Sequence, residues 1–402
     1  MTRLTTLQAS QRLGVKPETI YAYVSRGVLP RVLTDGGRTS TFSEHDVERL
    51  ARRGRPRQTS RSQALDFTIE TAITEITQSH LRYRGHDACV LARTVTFEQA
   101  AELLLSGVLA GHEPWPSNQH TVAVSPSIFD HVSTAALLAG ASDPLRSDLA
   151  PASVAQAART LIAAVVDSLP IHGDGRTPRL TLDGQTYRAT IAGRLWARLT
   201  PRRPQPGMAA TLNAALVLLA DHELAVSTVG VRVAASARAD PYRAIAAGIA
   251  VMSGPLHGGA SRAARRMLDD AYSDDGPNIT AAVERAAARA LDANGMYPGF
   301  GHMVYKHGDP RAELLLAMLR EGAGGSREMA IVDGFIATVK KRRDVRPNID
   351  LALAALGLIA NLAEEAGETI FSVARIAGWT AHAMEEYAES PLRFRARAQY
   401  AT

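Results

Sequence analysis

The sequence predicts a mainly α-helical protein with a small, separately charged head, and three observations carry that expectation. Alanine and leucine dominate runs such as AALVLLA, AAVERAAARALDA and LALAALGLIANLAEEAG, while aromatic residues are only 5% of the chain, so helix formers far outweigh strand formers. Apolar residues recur at helical spacing through most of the chain. Charge is segregated: residues 1–61 carry twelve Lys/Arg against five Asp/Glu, a net of +7, and the remainder is net −2. A length of 402 residues is enough for two or three domains, and ordinary apolar and charged fractions exclude disordered and fibrous classes.

In the head, residues 6–50 read TLQASQRLGVKPETIYAYVSRGVLPRVLTDGGRTSTFSEHDVERL. A first short helix is expected to turn Leu7 and Leu13 inward and to stop at Gly14. Pro17 then opens a second helix running to Arg26. Asp35-Gly36-Gly37 is the turn chemistry of a hairpin, and Ser43 with Asp46 starts a third helix. This order resembles the winged helix-turn-helix of the MerR and excisionase type. The resemblance implies that the second helix enters a major groove while Arg26, Arg31 and Arg38 meet duplex DNA; a packing or oligomerisation module is the alternative. Residues 1–52 are read as this domain, 53–63 as a basic linker, and 64–402 as the body.

In the body, helices are expected over Ala64–Gln78, Phe97–Leu109, Ser153–Leu169, Ile191–Leu199, Met208–Ala220, Tyr242–Met252, Ala281–Asn294, Arg311–Glu321, Arg327–Lys341 and Ile349–Ala366. Arg179–Ala189, with its Asp183-Gly184 turn, is the one hairpin expected there. No repeat of 20–50 residues is visible. A phosphate-binding GxxxxGK[ST] loop and an HExxH zinc motif are both missing, and no metal site is expected. The longest apolar stretch, Leu351–Ala363, is too short to span a membrane, and the first residues lack the apolar core of a secretory signal. With a single cysteine, Cys89, a cytoplasmic protein without membrane contact is expected.

Histidines in unusual company point to chemistry. His222 stands in ADHELAVST, His257 in GPLHGGAS, His302 in GFGHMVYKHGDPRA and Asp350 in RPNIDLALAALG. Singly, each has a structural explanation in a tight turn or a helix start. The glycines flanking His257 and His302 instead allow close backbone approach, and Arg311, Arg375 and Arg395 lie in the same half. Histidines, one carboxylate and several guanidinium forks describe a site for a small polyanionic acid undergoing proton transfer.

From about Leu65 to Tyr400 the body resembles the citrate synthase family, including 2-methylcitrate synthases. The motifs LRYRGHDACVLARTVTFEQAAELLLSG, LADHELAVSTVGVRVAAS, GPLHGGAS, GFGHMVYKHGDPRA and PNID follow one another in the family's order and spacing. The resemblance implies all-helical large and small domains, the smaller near residues 260–350, and a homodimer with shared active sites. It implies acetyl-CoA or propionyl-CoA as co-substrate with oxaloacetate and no permanently bound cofactor. Carried over residue by residue, His257 would hold the thioester oxygen, Asp350 would take a proton from the acyl carbon, and His302 would polarise the oxaloacetate carbonyl. His222, Arg311 and Arg375 would hold the carboxylates, with Arg395 arriving from the other subunit. Lys306 and Arg343, at the end of the basic run from Lys340, are candidates for coenzyme A phosphates. Met303, Ala396 and Leu351-Ala352-Leu353 depart from the family pattern and bear on acyl chain length. The alternative is a DNA-binding, metabolite-sensing regulator with a catalytically retired body.

Overall fold

The computed structural model describes residues 3–25, 29–34, 39–52, 68–117, 125, 127–254, 257–274 and 276–395. Two compact units emerge, Met1–Ile69 and Glu70–Thr402. The linker expected at 53–63 lies outside the described residues.

The first unit orders β1 (Arg3–Thr5), α1 (Thr6–Leu13), α2 (Pro17–Ser25), β2 (Val32–Thr34), β3 (Thr39–Ser43) and α3 (Glu44–Arg52). The strands form one antiparallel sheet in the order β1-β3-β2. Thr5 and Gln8 cap α1 reciprocally, and Gly14 closes it in the left-handed region at φ +63°. Ala9, Ile20, Tyr23, Leu29, Phe42, Val47 and Leu50 build a separate small core. One expectation fails here. Leu7 is 59% exposed, and Ala9 takes the inward position in the small core where α1 meets α2 and α3.

The second unit begins with a strand meander, β4 (Thr74–Ile76), β5 (Leu81–Tyr83) and β6 (His86–Asp87), followed by α4 (Ala88–Thr94), α5 (Phe97–Ser106), α6 (Ile128–Ser142) and α7 (Pro151–Ser168). The hairpin β7 (Leu180–Leu182) and β8 (Gln185–Tyr187) turns at Asp183-Gly184, both left-handed, as expected. Then come α8 (Ile191–Leu199), α9 (Met208–Leu219), α10 (Val226–Ser236), α11 (Pro241–Met252), α12 (Ala260–Tyr272), α13 (Ile279–Asn294), α14 (Pro310–Ala323), α15 (Arg327–Arg342), α16 (Ile349–Ile359) and α17 (Ala366–Ala388). Among the described residues no helix is long and apolar enough to cross a membrane.

Two further expectations are corrected. The segment expected as a helix over 64–78 is irregular where described, bends at 72–73 and enters β4, because β-branched Thr74 and Ile76 gain more from the sheet than from a helix. The stretch from Ile349 is two helices rather than one: Asn361 turns left-handed at φ +51°, and the Leu362 amide bonds back to Gly357 O. Through this break the chain passes into α17, the longest helix among the described residues, which sequence periodicity missed together with α4, α6, α10 and α12. Alanine-rich faces allow close packing of α10 on α11, α6 on α11 and α17 on α7 and α10. A second group, α12 to α16, packs largely within itself.

Candidate active site

The GFGH loop and the PNID segment meet through their backbones. Asn348 N–H donates to Gly299 O at 2.9 Å, Gly301 N–H to Arg346 O at 2.8 Å, and Asn348 Nδ2 to Gly301 O at 2.8 Å. Gly299 and Gly301 stand at φ +82° and +83°, and a Cβ on Gly299 would lie 2.8 Å from that of Leu351. Only glycine permits this approach. Asn348 also caps α16 by accepting from the Asp350 amide at 3.0 Å, so the loop carrying His302 and the helix start carrying Asp350 are locked together.

Asp350 is half-buried in the first turn of α16. Desolvation pushes its carboxyl up to about 6, with Arg311 pulling it down and Asp309 adding to the rise. It stays ionised at neutral pH yet is a stronger base than an ordinary aspartate.

His302 Nδ1 accepts from the amides of Val304 and Tyr305 at 3.1 and 3.2 Å. Its proton therefore sits on Nε2, which lies 3.4 Å from Arg311 Nη2, so two donors converge on one point. Burial first, and Arg311 second, lower the imidazole's pKa, keeping it neutral. Its ring lies 5.4 Å from that of His222 and 4.8 Å from that of Tyr305. His222 is pushed well below the usual range by desolvation and by Arg311 and Arg375.

Arg311 is buried and gripped by Asp309, Nε to Oδ1 at 2.9 Å and Nη2 to Oδ2 at 2.8 Å; Asp309 Oδ2 also accepts from the Ile349 amide. Arg375 is buried on α17, donates from Nε to Leu219 O at 2.9 Å and lies over the Phe371 ring. Burial lowers it to about 10, still cationic at neutral pH. The Phe371 ring also meets His257 at 6.2 Å. His257 Nε2 pairs with Ser227 Oγ at 2.8 Å, leaving Nδ1 as the second nitrogen, and burial with Arg375 lowers its pKa.

Three buried polar atoms around this pocket, His222 Nε2, Arg375 Nη2 and Tyr305 Oη, have no hydrogen-bond partner among the described residues. Left unpaired, such groups are costly, so their convergence marks a surface built for a polar ligand. The described geometry thus brings together His222, His257, His302, Arg311, Asp350 and Arg375.

The remaining candidates lie elsewhere. Arg395 is exposed, and no described hydrogen bond or ring contact joins it to the cluster. Lys306 is exposed with Nζ 3.4 Å from His302 O. Arg343 is exposed, with its guanidinium 5.7 Å from the centre of the Tyr297 ring. Arg31 is exposed before β2, while Arg26 and Arg38 lie outside the described residues. Sequence reasoning missed Asp309, Ser227, Tyr305 and Asn348. Asp309-Pro310 is a helix-start signature that could have revealed the first. No local signal marks Ser227, whose partner is 30 residues away.

Residues 67–397 match the family description "Citrate synthase, C-terminal domain", and residues 3–55 match "Helix-turn-helix domain". Citrate synthase 2 of Bacillus subtilis (strain 168) is 36% identical over 217 residues, covering 52% of this chain and 55% of that protein. A 2-methylcitrate synthase 2 of Corynebacterium glutamicum is 33% identical over 180 residues, 44% of this chain and 45% of that protein. The chain thus spans about half the length of the curated relatives it matches. The fold is shared with the Thermoplasma acidophilum citrate synthase solved as a ternary complex with carboxymethyl coenzyme A and oxaloacetate. There the TM-score is 0.61 at 22% identity, covering 84% of this chain and 94% of that one.

Proposed function

The chain belongs to the citrate synthase family, and from that premise we propose that it is an enzyme condensing acetyl-CoA with oxaloacetate to citrate and free coenzyme A. The observation that carries this is the pairing of a carboxylate base at Asp350 with two neutral, oriented imidazoles, beside guanidinium groups that suit dicarboxylate binding.

Asp350 removes a proton from the acyl methyl carbon while His257, oriented through Ser227, donates from Nδ1 to the thioester oxygen that gains charge. The resulting enol carbon attacks the oxaloacetate carbonyl, whose oxygen accepts from His302 Nε2. Water then cleaves the thioester of the citryl-CoA adduct, releasing the thiol. Arg311, Arg375 and His222 hold carboxylates. Donors fixed before reaction at both developing oxyanions are the largest expected contribution to rate. Propionyl-CoA is the second co-substrate we consider, because one methylene in an apolar pocket alters discrimination by only ~1–3 kcal/mol and 2-methylcitrate synthases are among the relatives. Lys306 and Arg343 are proposed for the coenzyme A phosphates. Retention of Asp350 argues against a retired regulator, since ligand binding alone needs no base.

We read residues 260–350 as the smaller part that closes over oxaloacetate, supported by the mutual packing of α12, α13 and α15; α16, which begins at Ile349, packs on α12 and α14 from the end of that stretch. A homodimer is supported by Leu137 and Leu138 of α6, Val226 and Val233 of α10 and Leu145 just after α6, apolar residues 41–71% exposed. In that dimer Arg395 serves the neighbouring pocket. The head is proposed to contact duplex DNA through residues 1–61, supported by its charge and its helix-turn-helix match. Purified protein with oxaloacetate and either acyl-CoA is expected to release thiol. No release with either would overturn the enzymatic reading.

A further inference from the structure

Asp221, immediately before His222, opens a chain of polar contacts that leaves the pocket. Its Oδ2 accepts from the Glu223 amide at 3.0 Å and from His382 Nε2 at 3.2 Å. Arg232 donates to His382 Nδ1 from Nε at 3.1 Å and from Nη2 at 2.8 Å, which makes Nδ1 an acceptor and leaves the His382 proton on Nε2, facing Asp221. Arg232 also pairs with Glu385, and its Nη1 lies 3.2 Å from Glu386 Oε2. Glu386 in turn accepts a two-pronged fork from Arg393, at 2.7 Å from Nε and 2.6 Å from Nη2. Asp221, Arg232, His382 and Glu386 are fully buried.

Well-packed apolar residues are often at least as stable as a buried ionic chain, so what such a chain fixes at its ends matters more than its stability. At one end is the tight turn 221–223, with Glu223 at φ +53°, which sets His222. Arg375, His382 and Glu386 fall on one face of α17, at spacings of seven and four. At the other end is the segment after α17. There Arg238 donates to Glu386 O at 3.1 Å and to Glu389 O at 2.7 Å, and the Leu392 amide to Ser236 O at 2.9 Å. Arg395 follows Arg393 by two residues, beyond the last of these anchors.

We propose that Asp221, His382, Arg232, Glu386 and Arg393 form a positioning chain that sets the Arg395 segment in register with the oxaloacetate pocket, Arg393 being the positioning residue for Arg395. The inference rests on the reading above that Arg395 binds oxaloacetate in the partner subunit's site.

Arg393 is the exposed end of the chain, so Arg393→Gln leaves the buried part intact. If that variant holds a tenth of its arms in the competent geometry, the oxaloacetate KM rises about tenfold while kcat stays within about twofold. Arg393→Lys, which keeps the charge without the fork, falls between. Mixed dimers locate the effect, with His302→Ala silencing one site. A chain carrying both His302→Ala and Arg393→Gln, paired with wild type, supplies the faulty arm to the live site and shows the raised KM. Single His302→Ala paired with single Arg393→Gln supplies an intact arm to the live site and shows a normal KM. A raised KM for Arg395→Ala with an unchanged KM for Arg393→Gln overturns the positioning chain and spares the shared-site reading. A raised KM in the second mixed dimer also overturns it. An Arg395→Ala protein with wild-type KM overturns the reading beneath it.

Discussion

Asp350→Asn tests the site through stability as well as activity. The carboxyl rises from 3.8 to about 6 in the folded chain, chiefly by desolvation. At 1.36 kcal/mol per pKa unit this is up to about 3 kcal/mol by which folding penalises the ionised form. The folded value exceeds the unfolded one, so the favourable contribution is present below pH 4 and is lost as pH rises through about 6; above that the wild type bears the whole penalty. Asparagine does not titrate, and the Asn348 cap uses the backbone of residue 350 rather than its side chain. The variant should therefore be catalytically dead yet more stable at pH 7.5. With ~2.1 cal/mol/K of unfolding entropy per residue over the second unit, residues 70–402, the gain is about 4 °C in Tm. Thermal unfolding at fixed protein concentration, at pH 4.5, 6 and 7.5, should show the difference between variant and wild type growing with pH. A variant equally or less stable at pH 7.5, or a difference that does not change with pH, would refute the account of Asp350 as a base held at a cost. The same titration predicts an acid limb near pH 6 in kcat/KM.

Ser227→Ala removes the partner of His257 Nε2 at 2.8 Å, and kcat is expected to fall by roughly ten- to a hundredfold with little change in Tm; an unchanged kcat would mean the ring is oriented by something else. Gly299→Ala sets a Cβ 2.8 Å from Leu351 at φ +82°, and the expected cost of about 2–4 kcal/mol should appear as a lower Tm together with lower activity, because the His302 loop must move away from Asp350. A chain starting near Ser62 should retain thiol release and lose affinity for duplex DNA, whose log K in the intact protein should fall with log salt by about 0.9 per phosphate contacted. Absence of salt-dependent binding in the intact protein, measured by fluorescence anisotropy, would remove the DNA reading.

Local physics determined much of this molecule from its sequence. Helix starts such as Pro17, Pro310 and Asn348, the Asp183-Gly184 turn, the glycines around His302 and the charge of the head are short-range signals, legible because each acts on its immediate neighbours. The identities of His222, His257, His302, Asp350, Arg311 and Arg375 were legible through ordered motifs. Their roles depend on distance, which sequence does not carry. That Arg311 needs Asp309, that His257 is turned by Ser227, and that Asn348 bolts two loops together were decided by tertiary approach. The β4–β6 meander escaped because strands of two or three residues are specified by their partners; Tyr83, for instance, is fixed by carbonyls of Val217 and Leu218 far along the chain. α17 escaped for the converse reason. It is buried on most of its sides, so its apolar residues make no stripe, and its charged ones, Arg375, His382 and Glu386, find their partners only when the chain has folded around them.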